Sequence, residues 1–179
     1  MTELDLIVDL HKGNWRQGPG GERETRLAME LAGLDAQRPV KIADIGCGTG
    51  ATTLLLAEEL KADITAVDLF PEFLDILNSR AAERGVAGRI STLVGSMDKL
   101  PFDDEEYDVI WSEGAVYNMG FENGIRYWQR FLKPGGILAV SEITWLAAVR
   151  PADLEEYWKT EYPEVDTASA KMEILESSG

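Results

Sequence analysis

Val40-Lys41-Ile42-Ala43-Asp44-Ile45-Gly46-Cys47-Gly48-Thr49-Gly50 decides how this chain is read. An apolar run closes on an acid and then on a loop with glycine at every second position. Residues 52–60, directly behind, read as a helix. Without a Cβ, glycine lets the backbone turn sharply and lets a ligand come close. A helix that starts at such a loop leaves unpaired N–H groups aimed at the same spot. The stretch therefore reads as a first strand ending in a cradle for a nucleotide-type cofactor.

Working outward, strands and helices alternate. Residues 63–67 read as strand 2 and 89–94 as strand 3. Between them, residues 71–84 read as a helix with Pro71 in its first turn and Gly85 past its last. Residues 107–111 read as strand 4, and 122–132 as a helix with Ile125, Trp128 and Leu132 on one face. Lys133-Pro134-Gly135-Gly136 is a turn, and 137–141 is strand 5. Ahead of the first strand, residues 3–10 read as a short helix, with Leu4, Ile7 and Val8 at helical spacing. A Gly-rich loop at 13–21 and a helix at 22–31, with Leu27, Leu31 and Leu34 on one face, follow. Short, mostly apolar strands between helices imply an α/β fold: a doubly wound, mostly parallel, Rossmann-like sheet with helices on both faces.

After strand 5 come two helical segments, 153–159 and 168–178, with Gly179 as the cap of the last. A sheet of this kind expects another strand there. The chain is read as a single domain: 1–36 N-terminal helices and lid, 37–142 cofactor-binding core, 143–179 substrate-side helices. It reads as C-terminally truncated, ending before strands 6 and 7, rather than as a compact five-strand variant. Strand 4 or strand 5 would then show an edge or apolar surface needing cover.

The 179 residues are 45% hydrophobic, an ordinary value for one domain with a real core. No run approaches the roughly 18 apolar residues of a membrane span. Residues 1–10 carry acids where a secretory signal needs a basic start. One cysteine, Cys47, allows no internal disulfide, which fits a reducing, cytoplasmic setting. The net charge of −15 repels polyanions, and the Lys and Arg residues form no run. Nucleic acid and membrane are thus not expected partners, and a small molecule is. A homodimer is left open. No clustered His or Cys suggests a metal.

The first two strands do not separate a dinucleotide from S-adenosylmethionine, because Gly46, Gly48 and Ala51 also fit the dinucleotide fingerprint. Asp68 sits where an acid can hold ribose hydroxyls of either ligand. Asp44 tips the balance. A carboxylate beside the loop repels a pyrophosphate but suits the ammonium of a methionine moiety. After strand 3, Asp98 can accept from an adenine amino group while Met97 packs on the ring.

In these features the chain resembles the class I S-adenosylmethionine-dependent methyltransferases of the small-molecule type. Residues 43–50 (Ala-Asp-Ile-Gly-Cys-Gly-Thr-Gly) look like motif I, and Val67-Asp68-Leu69 like the ribose-binding acid. Ser96-Met97-Asp98, followed by Leu100-Pro101-Phe102, looks like the adenine loop. Tyr107-Asp108-Val109-Ile110 is similar to the fourth strand, and residues 131–136 to the turn into the fifth. The resemblance implies S-adenosyl-L-methionine as cofactor, bound by Asp44, Gly46, Cys47, Gly48, Gly50, Asp68, Leu69, Ser96, Met97 and Asp98. Two alternatives stay open: an NAD-dependent oxidoreductase, and a non-catalytic module that binds S-adenosylmethionine or S-adenosylhomocysteine. Asp44 stays open between a ligand contact and a structural acid.

The substrate is expected beyond the carboxyl ends of strands 4 and 5. Glu113, Tyr117 and Glu142 are the candidate catalytic groups there, and Asn118, Trp145 and Gly18 the candidate substrate contacts. Both glutamates also read as capping or loop-holding residues. Gln17-Gly18-Pro19-Gly20-Gly21 reads as a lid or a plain linker. His11, the only histidine, reads as solvent-facing or as a base.

Overall fold

A computed structural model describes residues 3–178, with side chains from residue 6 onward. Leu4, expected on the apolar side of the first helix, and Gly179, expected as a helix cap, therefore lie outside what is described. The core is a five-stranded sheet in the order β3-β2-β1-β4-β5. Its strands are β1 (Val40–Ile45), β2 (Ala62–Asp68), β3 (Ile90–Val94), β4 (Tyr107–Ser112) and β5 (Leu132–Val140), and every pairing is parallel. The expected doubly wound α/β sheet is present.

Alternation along the strands sends successive side chains to opposite faces. On one face Ile42, Ile64, Val109 and Trp111 pack with Met29, Leu54, Leu56, Leu74 and Leu77. These belong to α2 (Glu22–Leu31), α3 (Ala51–Glu59) and α4 (Pro71–Glu83). On the other face Ala43, Ile45, Val67 and Ile110 pack with Phe121, Ile125 and Trp128 of α5 (Phe121–Trp128). Ile174 and Leu175 of α7 (Ala168–Ser178) close against the same cluster.

Two expectations are corrected, one holds in part, and one feature was not expected. Leu27 and Leu31 are 52% and 79% exposed, while Thr25 and Met29 are the buried residues of α2. The helix turns a mixed face inward because Thr25 serves a polar network described below. Lys133–Gly136 is a bulge inside β5: Leu132 already pairs with Tyr107 before pairing resumes at Val109 and Ile137. β5 is an open edge, as strand 5 was expected to be, whereas β4 is flanked by β1 and β5, and the other open edge among the described residues is β3. Two two-residue strands, β6 (Thr144–Trp145) and β7 (Asp166–Thr167), form a separate parallel pair that no sequence signal announces. Between them lies α6 (Ala152–Glu161), and the chain starts with α1 (Glu3–His11).

Candidate functional site

β1, β2 and β4 end side by side, and a cavity of about 590 Å³ opens beyond their carboxyl ends. The parallel register brings Ile45 beside Val67 and Asp44 beside Trp111, so the loops that follow converge. Gly46, Gly48 and Gly50 all take positive φ, at +76°, +56° and +87°. Each rejects a Cβ for a different reason. At Gly46 it would come within 2.4 Å of Ala115 Cβ, which makes Gly46 the cradle floor. At Gly48 it would strike Gln17 Oε1 of the N-terminal segment, and at Gly50 it would strike Leu77 of α4.

Gly46, Cys47, Gly48, Asp44, Asp68, Leu69, Ser96, Met97 and Asp98 line this cavity, as do Glu113, Tyr117, Asn118 and Gly18. Three expected site residues do not. Gly50 begins α3 and is spent on close packing against α4. Trp145 lies on β6 with the Arg150 guanidinium stacked 4.5 Å from its ring centre. Glu142 is taken by the C-terminal helices: Lys171 Nζ lies 3.1 Å from its Oε1, and the Tyr162 hydroxyl donates to the same oxygen at 2.6 Å. The α7 partner lies far along the chain, so nothing near Glu142 in sequence signals it.

Asp68 ends β2. Its Oδ2 accepts from Gly48 N at 2.8 Å and its Oδ1 from Phe70 N at 3.0 Å. Burial pushes its pKa up, and these N–H groups oppose the rise. A carboxylate has about four lone-pair directions, so Asp68 braces the glycine loop with acceptor capacity left for a ligand. Asp44 is 1% exposed and accepts from Thr53 Oγ1 at 2.6 Å. Burial pushes its pKa up to about 7; Glu113 and Asp68 add to the rise, while Thr53 and Arg16 oppose it. Burial likewise raises the Cys47 thiol, so Cys47 stays protonated and serves as wall rather than nucleophile.

Both oxygens of Glu113 are engaged. Its Oε1 accepts from Trp111 Nε1 at 2.9 Å; its Oε2 accepts from Arg16 Nη1 at 2.8 Å and Thr25 Oγ1 at 3.1 Å. Three protein donors thus hold the Glu113 carboxylate in place. Tyr117 is half-exposed on the cavity wall, and Asn118 turns its amide back to Ala115 O.

Residues 14–19 lie across the glycine loop and bring Arg16, which sequence reasoning did not place in the site, to the cavity wall. Gln17 Nε2 donates to Thr49 Oγ1 at 2.8 Å, and Gln17 Oε1 accepts from Thr49 N at 3.0 Å. Arg80 donates to Thr49 O at 2.9 Å. Arg80 and Arg84 both stack on Trp15, 4.5 and 4.6 Å from its ring centre. The segment is thus a docked cover. The one signal for Arg16 was a lone basic residue just ahead of the Gly-Pro-Gly-Gly run.

A family profile described as "Methyltransferase domain" matches residues 42–136. The chain is 30% identical over 151 residues to a 27-O-demethylrifamycin SV methyltransferase of Amycolatopsis mediterranei, covering 82% of this chain and 55% of that protein. It is 33% identical to the ubiquinone/menaquinone biosynthesis C-methyltransferase UbiE of Azotobacter vinelandii, covering 80% and 55%. The chain thus spans about half the length of these curated relatives. Among solved structures it resembles the [4+2]-cyclase SpnF, with TM-score 0.74 and 29% identity, covering 92% of this chain and 60% of that one. It also shares the fold of a phosphoethanolamine N-methyltransferase of Haemonchus contortus, with TM-score 0.78 and 20% identity, covering 97% and 40%.

Proposed function

This chain belongs to the methyltransferase domain family, and from that premise we propose that it transfers the sulfonium methyl of S-adenosylmethionine to a small-molecule acceptor. The observation that carries the reading is the cavity wall itself. Gly46 is bare where any side chain would collide, Asp68 keeps unused acceptor capacity, Met97 lies against Gly46, and Asp98 lines the same cavity. These residues fit an adenosine bearing an amino-acid end. In this reading Asp68 and Leu69 take the ribose, Ser96, Met97 and Asp98 the adenine, and Gly46, Cys47 and Gly48 the methionine part, with Asp44 beside it.

Bound S-adenosylmethionine supplies a methyl group already activated as an electrophile. The chain's own residues then have to align an acceptor and keep water out, which is where most of the advantage of a direct displacement lies. Tyr117, Asn118 and Gly18 form the wall we assign to the acceptor. The segment at 14–19 shields the reacting centre. With Glu113 and Glu142 both paired, Tyr117 is the group we place against the acceptor's nucleophilic atom.

Calorimetry with S-adenosylhomocysteine and with NADH tests the cofactor. Binding of the first and not the second is expected, and the reverse would return the chain to the oxidoreductase reading. A second reading, that the chain binds an S-adenosyl compound without transferring its methyl, is favoured by one observation: a structural neighbour at 29% identity is named for a cyclisation, so this fold carries chemistry other than methyl transfer. Binding of S-adenosylhomocysteine without consumption of isotopically labelled S-adenosylmethionine across a broad acceptor screen would support that reading.

A further inference from the structure

The turn at residues 96–100 carries Met97 and Asp98 to the cavity, and both of its ends are tied to one helix. At the near end Trp128 Nε1 donates to Met97 O at 2.9 Å. At the far end Leu100 N donates to the Tyr127 hydroxyl at 3.1 Å. The two anchors are the last two residues of α5. Asp98 is exposed between the ties, where Lys99 N donates back to Ser96 O at 3.1 Å. The aim of its carboxylate is therefore set by the backbone that carries it. The anchors themselves are firmly held. Trp128 is fully buried in the same cluster as Phe121 and Ile125, and the Tyr127 ring stands edge-on to Phe131, 5.2 Å between centres. A buried indole N–H needs an acceptor, and Trp128 finds it 31 residues earlier in the chain. The opposite end of α5 is fixed too, because Phe121 N donates to Glu164 Oε2 at 2.8 Å.

We propose that Trp128 and Tyr127 are positioning residues: by tying the two ends of this turn to α5 they aim Asp98, and so set how strongly the cavity prefers a base that carries an amino group. The inference rests on the reading that an S-adenosyl compound fills the cavity with its base against Met97 and Asp98. A surface turn left to itself samples several backbone conformations, and a ligand that needs one of them has to order it. The two ties do that ordering before the ligand arrives. A carboxylate accepts and does not donate, so it rewards a base amino group only when it is held where that group comes to rest. Neither anchor touches the ligand in this account; each acts through the Asp98 backbone.

The test is calorimetric and needs no turnover. S-adenosylhomocysteine is compared with its 6-deamino analogue, whose base is unsubstituted purine. Wild-type protein should prefer the first by about 10-fold or more, the scale of a hydrogen bond to a charged group. Tyr127→Phe removes one tie and keeps the ring; Trp128→Phe removes the other and keeps an aromatic side chain in the core. Each should weaken S-adenosylhomocysteine by about 3- to 10-fold, the scale of one lost hydrogen bond, and leave the analogue within about twofold. Asp98→Ala should abolish the preference, and adding Tyr127→Phe to it should then change neither ligand by more than about twofold. Equal weakening of both ligands by Tyr127→Phe would reduce the tie to general support and overturn the proposal, as would an unchanged preference. Should the smaller ring of Trp128→Phe leave that variant unfolded, Tyr127→Phe decides the matter alone. An Asp98→Ala variant that keeps the preference would overturn the adenine assignment, and wild-type protein that binds neither ligand the cofactor reading itself, each taking the proposal with it. Failure of the proposal alone reads differently: Asp98→Ala loses the preference and the tie variants keep it.

Discussion

Asp44→Asn should make the protein relatively more stable as pH rises, while weakening its hold on the cofactor. Asp44 is buried among Thr53, Glu113 and Asp68, and its pKa rises from 3.8 to about 7 on folding. Between those values the folded state holds a proton that the unfolded chain has released, so this group's contribution to stability falls as pH rises through the window and is flat above it. A rise of that size corresponds to about 4 kcal/mol, of which about 3 kcal/mol falls between pH 5 and pH 8. Asparagine keeps the shape and can still accept from Thr53 Oγ1, which donates at 2.6 Å. It cannot ionise, so it escapes the loss. Its new N–H donors cost about 1–3 kcal/mol if buried without partners, but that cost does not depend on pH. The measurable quantity is therefore the difference between variant and wild type at two pH values, in which titrations not coupled to Asp44 cancel. At roughly 2–4 °C per kcal/mol for a chain this long, the Tm of the variant should gain roughly 6–12 °C on wild type between pH 5 and pH 8. Thermal melts by circular dichroism in matched ionic strength would read it. A difference that is constant across that range would show that Asp44 is not a destabilised buried acid.

Three further outcomes follow from the site and its supports. Asp68→Ala removes the acceptor we assign to the ribose and the brace on Gly48 and Phe70; S-adenosylhomocysteine affinity should fall by about 1–3 kcal/mol, and calorimetry showing no change would remove Asp68 from the site. Gly46→Ala places a methyl 2.4 Å from Ala115 Cβ at φ +76°; left-handed strain of about 1–2 kcal/mol and overpacking of about 1–3 kcal/mol should both appear in a urea titration, and Ala115→Gly should recover the second part only. Lys171→Met leaves Glu142 buried without its ion pair, a loss of about 3–5 kcal/mol; adding Glu142→Gln should restore most of it, and failure to do so would mean that Lys171 acts through packing on Phe121 and Tyr162 instead.

The sheet was legible because its signals are local. Each core strand is a short apolar run bounded by turn residues, and the boundaries fall close to those observed in β1 through β4. The cradle was legible for the same reason, since glycine spacing, Asp68 and Met97-Asp98 each sit at a strand end. What escaped was every feature whose cause lies far along the chain. Leu27 and Leu31 had the spacing of a buried face, but α2 instead turns Thr25 inward to the Arg16 and Glu113 network. Gly50 repeats the pattern of Gly46 and Gly48, yet its missing Cβ serves Leu77 on α4. Glu142 stands at a strand end as an active-site acid would, and only the return of α7 shows that it is spoken for. A sequence marks which residues end a strand; it does not mark which of them already have partners.

That distinction bears on how the cavity tells its ligand from other adenosine compounds. Its ionisable wall is mostly acidic, with Asp44, Asp68, Asp98 and Glu113 against Arg16. Glu113 and Arg16 neutralise each other at 2.8 Å, and burial pushes the pKa of Asp44 up to about 7. What remains to meet a ligand is a field of negative sign around a single directed cation. A pyrophosphate carries two charges of the wrong sign into that field and finds one arginine already shared with Glu113. A sulfonium with an ammonium brings positive charge to the acids, which favours the ionised form of Asp44. The same glycine loop would admit either ligand by shape. The difference lies in the sign of the wall behind it, and that sign is set by which carboxylates are paired and which are left over.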